Sequence, residues 1–248
     1  MENEAMKMGY TVLIGSADEN ASKFDLLAHL FQEQQVEGLI LAPVEGCENT
    51  IQTMDALGVP FVLVDRYIKG KKLSSVRINN RTISKAIAQH FVSKSKQFPL
   101  VVSYETKLKH LSERREGFMK CFDGKIEEVK VSKDYIAKDI WDGLSTYWKS
   151  GSSYPDCIYF TSNKLAFEGL KFLLTHHREL IDEIEIVAFD NSIIYEMYPG
   201  NVYYVQQPLE DIAFNTLSIL QRQIDNGLKL HEEVKLDAKL VLDKMEFF

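Results

Sequence analysis

Cysteine is scarce in this 248-residue sequence: Cys47, Cys121 and Cys157 stand far apart, with no Cys-x-x-Cys pair. That spacing excludes a disulfide framework and a cysteine-rich zinc site, and it fits a reducing compartment. Proline and glycine are few, six and thirteen, and no Pro/Gly/Ser-rich seam, solenoid repeat or low-complexity run divides the chain. No apolar stretch approaches the roughly 20 residues that a membrane span needs, and the first ten residues are charged and helix-like rather than a signal peptide. The chain therefore reads as cytoplasmic. Positive charge is also short, 29 Lys and Arg against 36 Asp and Glu, a net −7. Such a balance argues against a surface that neutralises phosphates, so any grip on DNA or RNA must come from a segment outside this chain.

Catalytic signatures are missing as well. His29, His90, His110, His176, His177 and His231 show no His-Glu-x-x-His or paired-ligand spacing, and there is no Gly-x-Ser-x-Gly elbow or Gly-x4-Gly-Lys-Ser/Thr phosphate loop. His176-His177, beside Arg178, reads as a solvated helix end favoured by the helix dipole. The expectation is a protein that is not an enzyme and that carries no metal and no cofactor.

What is present is the composition of an ordinary globular protein, 45% hydrophobic and 26% charged, long enough for one large core or two modest ones. Short β-branched or aromatic runs alternate with longer segments of helical period, the pattern of a mainly parallel sheet covered by helices on both faces. Residues 10–15 read as a strand, 22–34 as a helix with Leu27, Leu30 and Phe31 on one face, and 36–42 as a strand closed by Pro43. The rhythm continues with a helix over 49–57, strands at 61–64 and 75–78, a helix over 82–93, a strand at 100–103 and a helix over 113–122. Later units are a strand at 125–131, a helix over 140–150, a strand at 156–160, a helix over 164–174 and a strand at 184–189. A last long helix, marked by Leu209, Ile212, Ala213, Leu217, Leu220 and Ile224, ends at Asn226-Gly227 as a glycine C-cap would. Residues 233–245 read as extended.

Ligands of open parallel sheets bind beyond the carboxyl ends of the strands. Four polar sets stand at such ends: Asp65-Arg66, Asn79-Asn80, Thr161-Ser162-Asn163 and Asp190-Asn191. Each could bond hydroxyls, a carboxylate or a base. Each could equally be a turn or helix cap, because Asp and Asn favour both through their own backbone bonding, and Asn163 and Asn191 fit a pure cap best.

In order and spacing the chain resembles the effector-binding region of lactose-repressor-type (LacI/GalR) transcriptional regulators. The segments that carry the resemblance are Val36-Glu37-Gly38-Leu39-Ile40-Leu41-Ala42-Pro43, Val59-Pro60-Phe61-Val62-Leu63-Val64-Asp65-Arg66, Arg114 with Gly117-Phe118, and Pro155-Asp156. Asn163 with Ala166 and Gly169, Ile186-Val187-Ala188-Phe189-Asp190-Asn191 and Gln207-Pro208-Leu209 complete them. The resemblance implies an α/β fold of the two-lobed periplasmic-binding-protein-like type I, with parallel-dominated sheets flanked by helices and three interlobe crossovers, near Arg77 to Asn79, Val205 to Gln207 and Leu236 to Ala238. One lobe would comprise residues 1–77 plus 207–236, the other 78–206 plus 237–248.

The family's ligand contacts map onto Arg114, Asn163 and Asp190, with Asp65, Arg66, Gln207 and Asn79 near the cleft or hinge, while Arg115 reads as a solvated helix face. A guanidinium opposite a carboxylate suits a polyhydroxylated ligand, because one offers paired donors and the other paired acceptors. The implied function is sensing of a small-molecule effector, a sugar or sugar derivative, by a regulator that is a homodimer when intact. DNA would be bound only through an N-terminal helix-turn-helix that this chain does not contain. The alternative is a transport-type sugar-binding protein of the same fold. Against the family pattern Asn79 stands where an acidic residue is usual, Ile83 near a usual glycine, and Lys94-Ser95-Lys96-Gln97 replaces a Gly-His turn. Residues 2–10 resemble the end of the family's first helix, so the family's first strand is expected to be absent too.

Overall fold

A computed structural model of the protein describes residues 1–122, 124–150, 154–227 and 229–242. The chain forms two compact units, one of Met1–Ile78 with Pro208–Leu236 and the other of Asn79–Gln207 with Asp237–Phe248. It therefore passes from unit to unit three times, at Ile78 to Asn79, Gln207 to Pro208 and Leu236 to Asp237. The sequence reading put Ile78 in the second unit and Gln207 in the first. Each belongs to the other, because Ile78 is still inside a strand of the first sheet and Gln207 directly follows the strand Val202–Gln206 of the second.

The first unit contains helices α1 (Glu2–Lys7), α2 (Ala21–Glu33) and α3 (Glu48–Ala56), strands β1 (Leu39–Leu41), β2 (Phe61–Val64) and β3 (Ser75–Ile78), and, after the excursion into the second unit, α9 (Leu209–Asn226) and β9 (Glu233–Leu236). Its sheet runs β1-β2-β3-β9, parallel throughout. Both faces are apolar, as a doubly covered parallel sheet requires. Phe61 and Leu63 pack with Leu39 and Leu41 against Phe24 of α2 and Ile51 and Met54 of α3. Val62 and Val76 turn to the other face and meet Ile219 and Leu220 of α9. Asn20 caps α2 by accepting from the Lys23 amide at 2.9 Å, and Gly227 ends α9 in the left-handed conformation.

Residues 10–15 are not a strand, contrary to the expectation. A strand exists only where a neighbour completes its ladder, and no described strand lies beside this segment. Ile14 is 83% exposed, while Gly15 lies so close to α2 that a Cβ there would come within 2.9 Å of the Leu27 side chain. The strand expected over 36–42 shortens to β1 for the same reason, since β1 is an edge with β2 as its one partner. Of the segment expected to be extended over 233–245, β9 and the short β10 (Lys239–Val241) form. Residues 243–248 lie outside the described residues.

The second unit is built on a six-stranded sheet in the order β10-β8-β7-β6-β4-β5, parallel except for β10. Its strands are β4 (Pro99–Tyr104), β5 (Glu127–Val131), β6 (Cys157–Phe160), β7 (Glu185–Phe189) and β8 (Val202–Gln206), and its helices α4 (Asn80–Ser93), α5 (Lys109–Met119), α6 (Ile136–Lys149), α7 (Asn163–His176) and the single turn α8 (Ile194–Met197). Leu100, Val102, Ile158, Phe160, Ile186 and Ala188 face α6 and α7, where Ile140, Leu144, Leu165 and Leu170 are fully buried with them. On the opposite face Phe118 of α5 stacks on Tyr159 and meets Phe91 of α4 edge-on. Each wholly buried aromatic or leucine contributes about 1.5–3 kcal/mol.

The close approach of α4 and α5 depends on Gly117, where a Cβ would sit 2.5 Å from the Arg81 carbonyl oxygen. Backbone cannot yield as a side chain can, so overpacking outweighs the roughly 1 kcal/mol that alanine gains over glycine in a helix. Gly117→Ala is expected to lower stability by about 1–2 kcal/mol net in urea unfolding, and an unchanged midpoint would contradict this account of the helix contact.

Candidate functional site

The second unit gathers its polar residues at the carboxyl ends of β4, β6 and β7, and Arg114 is their centre. It lies in the middle of α5 rather than at its start, because α5 begins at Lys109, four residues earlier than the sequence pattern implied. Although charged, Arg114 is only 4% exposed, and a buried charge must be bonded. Its Nε donates to Asn80 Oδ1 at 2.8 Å, its Nη1 donates to the Thr161 carbonyl at 3.1 Å, and the guanidinium lies 3.5 Å from the Phe189 ring centroid. Nη2 takes part in neither bond. Asn80, itself buried, is thus the partner that sets the angle of Arg114.

Asp190 follows β7 with a φ of 69°. Its Oδ1 accepts a hydrogen bond from Gln207 Nε2, so Gln207 and not Arg114 holds this carboxylate. Both charges act on the Tyr159 hydroxyl, which donates to or accepts from Ser84 at 2.9 Å. Burial pushes that phenol well above its ordinary value, Ser84 and Arg114 oppose the shift and Asp190 adds to it. Arg114 thus packs over Phe189, the residue before Asp190, and Asp190 is held by Gln207.

Asn163 lies two residues beyond Thr161, whose carbonyl holds Arg114. It is exposed and lines a groove of about 410 Å³ together with Phe167, Glu168, Ser192 and Ile194. Neither Asn163 nor Asn191 is a helix cap. Ser162 caps α7, its hydroxyl accepting from the Leu165 amide at 3.3 Å, while α8 starts after Ile193, which makes no side-chain cap bond. Asn79 occupies the position before α4 without a side-chain cap bond.

In the first unit the end of β2 is equally organised. Asp65 has a φ of 62°, and its amide donates to the Val76 carbonyl at 2.9 Å. Arg66 donates from Nη1 to Glu19 Oε2 and to the Pro43 carbonyl, both at 2.8 Å, and from Nη2 to Glu19 Oε1. Nothing in the sequence pointed to Glu19 or Asn80 as partners, since they lie 47 and 34 residues from the arginines they bond.

Arg115 is not a solvated face residue. Its fork bonds both oxygens of Glu128, which also accepts from Ser103 at 2.6 Å. Burial alone would raise the Glu128 carboxyl, but the hydrogen bonds from Arg115 and Ser103 hold it below its ordinary value.

A family model described as periplasmic binding proteins and the sugar-binding domain of the LacI family matches residues 1–194. The chain belongs to this family. Among curated relatives, a probable HTH-type transcriptional regulator, EndR, of Paenibacillus polymyxa is 22% identical over 94% of this chain and 70% of its own length. The ribose operon repressor of Halalkalibacterium halodurans is 22% identical over 98% of this chain and 72% of its own. Among solved structures, the Cra transcriptional dual regulator of Pseudomonas putida with fructose 1-phosphate superposes with a TM-score of 0.87 at 17% identity, covering 98% of this chain and 91% of that one. A periplasmic binding protein/LacI transcriptional regulator of Alkaliphilus metalliredigens with D-xylulofuranose gives 0.83 at 20%, covering 97% and 89%. The LacI-type domain thus has the α/β fold with parallel sheets flanked by helices that its sequence implied.

Two measurements follow from this geometry. Ser162→Ala is expected to cost about 1 kcal/mol of stability, whereas Asn163→Ala should leave the melting temperature nearly unchanged; equal losses would put the cap on the wrong residue. Arg115→Ala should cost about 1–3 kcal/mol, toward the lower end because Arg115 is 34% exposed while Glu128 is 12% exposed. Because the folded state holds Glu128 below its unfolded value, this stabilisation is present above about pH 4.3 and fades as pH falls further. A wild-type-minus-variant difference that grows on acidification would refute it.

Proposed function

We propose that this domain is the effector-sensing part of a LacI-type transcriptional regulator and that Arg114, Asp190 and Gln207 of its second unit bind a sugar or sugar derivative, with Asn163 and Asn79 as further contacts there; in the first unit the candidate contacts are Asp65 and Arg66. The observation that carries the reading is the pairing at the strand ends of the second unit. A guanidinium fixed by Asn80 and Thr161 packs over the ring of Phe189, and the next residue in the chain, Asp190, is a carboxylate fixed by Gln207. Donor and acceptor are set before a ligand arrives, so binding loses little side-chain freedom. Hydroxyl groups can use the Nη2 edge of one and the oxygens of the other.

The relatives that are transcriptional regulators favour this role over transport and over catalysis. The sugars named for the solved relatives favour a carbohydrate effector. A regulator of this kind works in the cytoplasm, as a homodimer, and its DNA contact lies outside a chain of net charge −7. Exposed Phe167 on α7, Ile193 just before α8 and Met197 at its end suit an interface with a second copy. An effector would act by favouring one arrangement of the protein over another, and only to the extent of its differential affinity.

Calorimetry of the chain against D-ribose, D-xylulose and D-fructose tests the assignment. Asp190→Asn, which keeps an acceptor for Gln207 but removes the charge, should weaken the sugar that binds best by about tenfold or more, equivalent to about 1.4 kcal/mol. Arg114→Lys should do likewise. Unchanged affinity in both folded variants would overturn the site.

A further inference from the structure

An arginine fork at the end of a parallel strand is a ready receptor for a phosphate or carboxylate, because its planar donors match two oxygens at once. In the first unit the two terminal nitrogens of that fork are already taken from within the chain, while Nε makes no hydrogen bond among the described residues. Both terminal nitrogens of Arg66 bond the two oxygens of Glu19, Nη1 also serves the Pro43 carbonyl, and Asp65 Oδ2 lies 4.0 Å from Nε. The Arg66 side chain is only 16% exposed, whereas Glu19 and Asp65 are 36% and 37% exposed, so the guanidinium is sheltered while its carboxylate partners reach solvent. Two carboxylates thus stand around one guanidinium at this point of the sheet.

We propose that Glu19 is a specificity-determining residue: by occupying Arg66 it turns the end of β2 against anionic ligands, so that this strand end accepts the hydroxyls of an uncharged sugar and not the phosphate of a sugar ester. The proposal rests on the sugar-sensing reading above and narrows its substrate class. An incoming phosphate would have to displace a bidentate, charge-assisted partner and then sit beside two carboxylates. A hydroxyl displaces nothing, since it can donate to either carboxylate.

The placement of Glu19 is built in rather than incidental. Asp18 and Glu19 both take left-handed φ values, 48° and 57°, directly before the Asn20 cap of α2, so the helix start fixes where the Glu19 side chain emerges. The neighbouring cation gives no substitute, because Lys23 is paired with Asp18, which Ser16 also bonds. Lys69, Lys71 and Lys72, in the loop after Arg66, are exposed to solvent. The second unit points the same way, since Arg114 already spends Nε and Nη1 on Asn80 and the Thr161 carbonyl.

Calorimetry and thermal shift on the 248-residue chain test this with inorganic phosphate and with matched pairs, D-fructose against fructose 1-phosphate and D-ribose against ribose 5-phosphate. The wild-type chain is expected to ignore millimolar phosphate and to take the neutral member of a pair at least about tenfold more tightly. Glu19→Gln, nearly the same in shape, should gain phosphate binding by about tenfold or more, and adding Arg66→Ala should abolish the gain. A folded Glu19→Gln chain as indifferent to phosphate as the wild type overturns the proposal. So does a wild-type chain that prefers the phosphate ester, a comparison that decides the matter even if the variants do not fold. Because the phosphate gain is read without any sugar, its appearance in a chain that binds none of the sugars upholds the role of Glu19 while the sugar-sensing reading fails.

Discussion

The structure turns on the requirement that a guanidinium removed from water be given hydrogen-bond partners within the fold. Arg114 satisfies it by linking α5 to the first residue of α4 through Asn80, to the end of β6 through the Thr161 carbonyl, and to β7 through the Phe189 ring. Elements from distant parts of the sequence are thereby held at one place, and the cost of moving any of them is an unpaired buried charge, several kcal/mol at least. The same side chain is consequently both a structural clamp and a candidate contact. Gly117, one turn further along α5, lets that helix come close enough to α4 for the clamp to close.

The two units repeat one device. A short buried parallel strand ends in an aspartate with positive φ, Asp65 after β2 and Asp190 after β7. The left-handed conformation costs a non-glycine residue about 1–2 kcal/mol, and aspartate tolerates it better than most because its side chain can bond locally. Reversing the chain direction in one residue lets the carboxylate sit at the strand end where the sheet is open, which is where parallel sheets bind ligands. The units differ in what answers the carboxylate. Gln207, a neutral amide, bonds Asp190, whereas the end of β2 carries an arginine already matched by Glu19. The first site therefore offers oxygens and a neutralised fork, the second a fixed donor edge beside a carboxylate.

Local patterns made the architecture readable. The apolar runs Phe61 to Val64 and Ile186 to Phe189 are buried on both faces and became strands, and the spacing of Leu217 and Leu220 with their neighbours became α9. Reading failed where an element depends on what lies beside it. Residues 10–15 have the residue types of a strand but no described neighbour to pair with, so they stay irregular. Asn163 was a reasonable cap by type, yet Ser162 does the capping, because which residue turns its side chain to the free amides depends on where the strand before it ends.

From the sequence alone came the alternation of strands and helices, the polar residues at their junctions, the acidic balance and the resemblance that named Arg114, Asp190, Asp65 and Arg66 together. These are properties of residue type and short-range spacing, which the chain carries before it folds. Only the tertiary structure decided what those residues touch: Asn80 and Thr161 for Arg114, Gln207 for Asp190, Glu19 for Arg66, Glu128 for Arg115. The physical reason is that charge pairing at a buried strand end is set by distances in space between residues far apart in the chain. No periodicity records that Glu19 and Arg66, 47 positions apart, will neutralise one another.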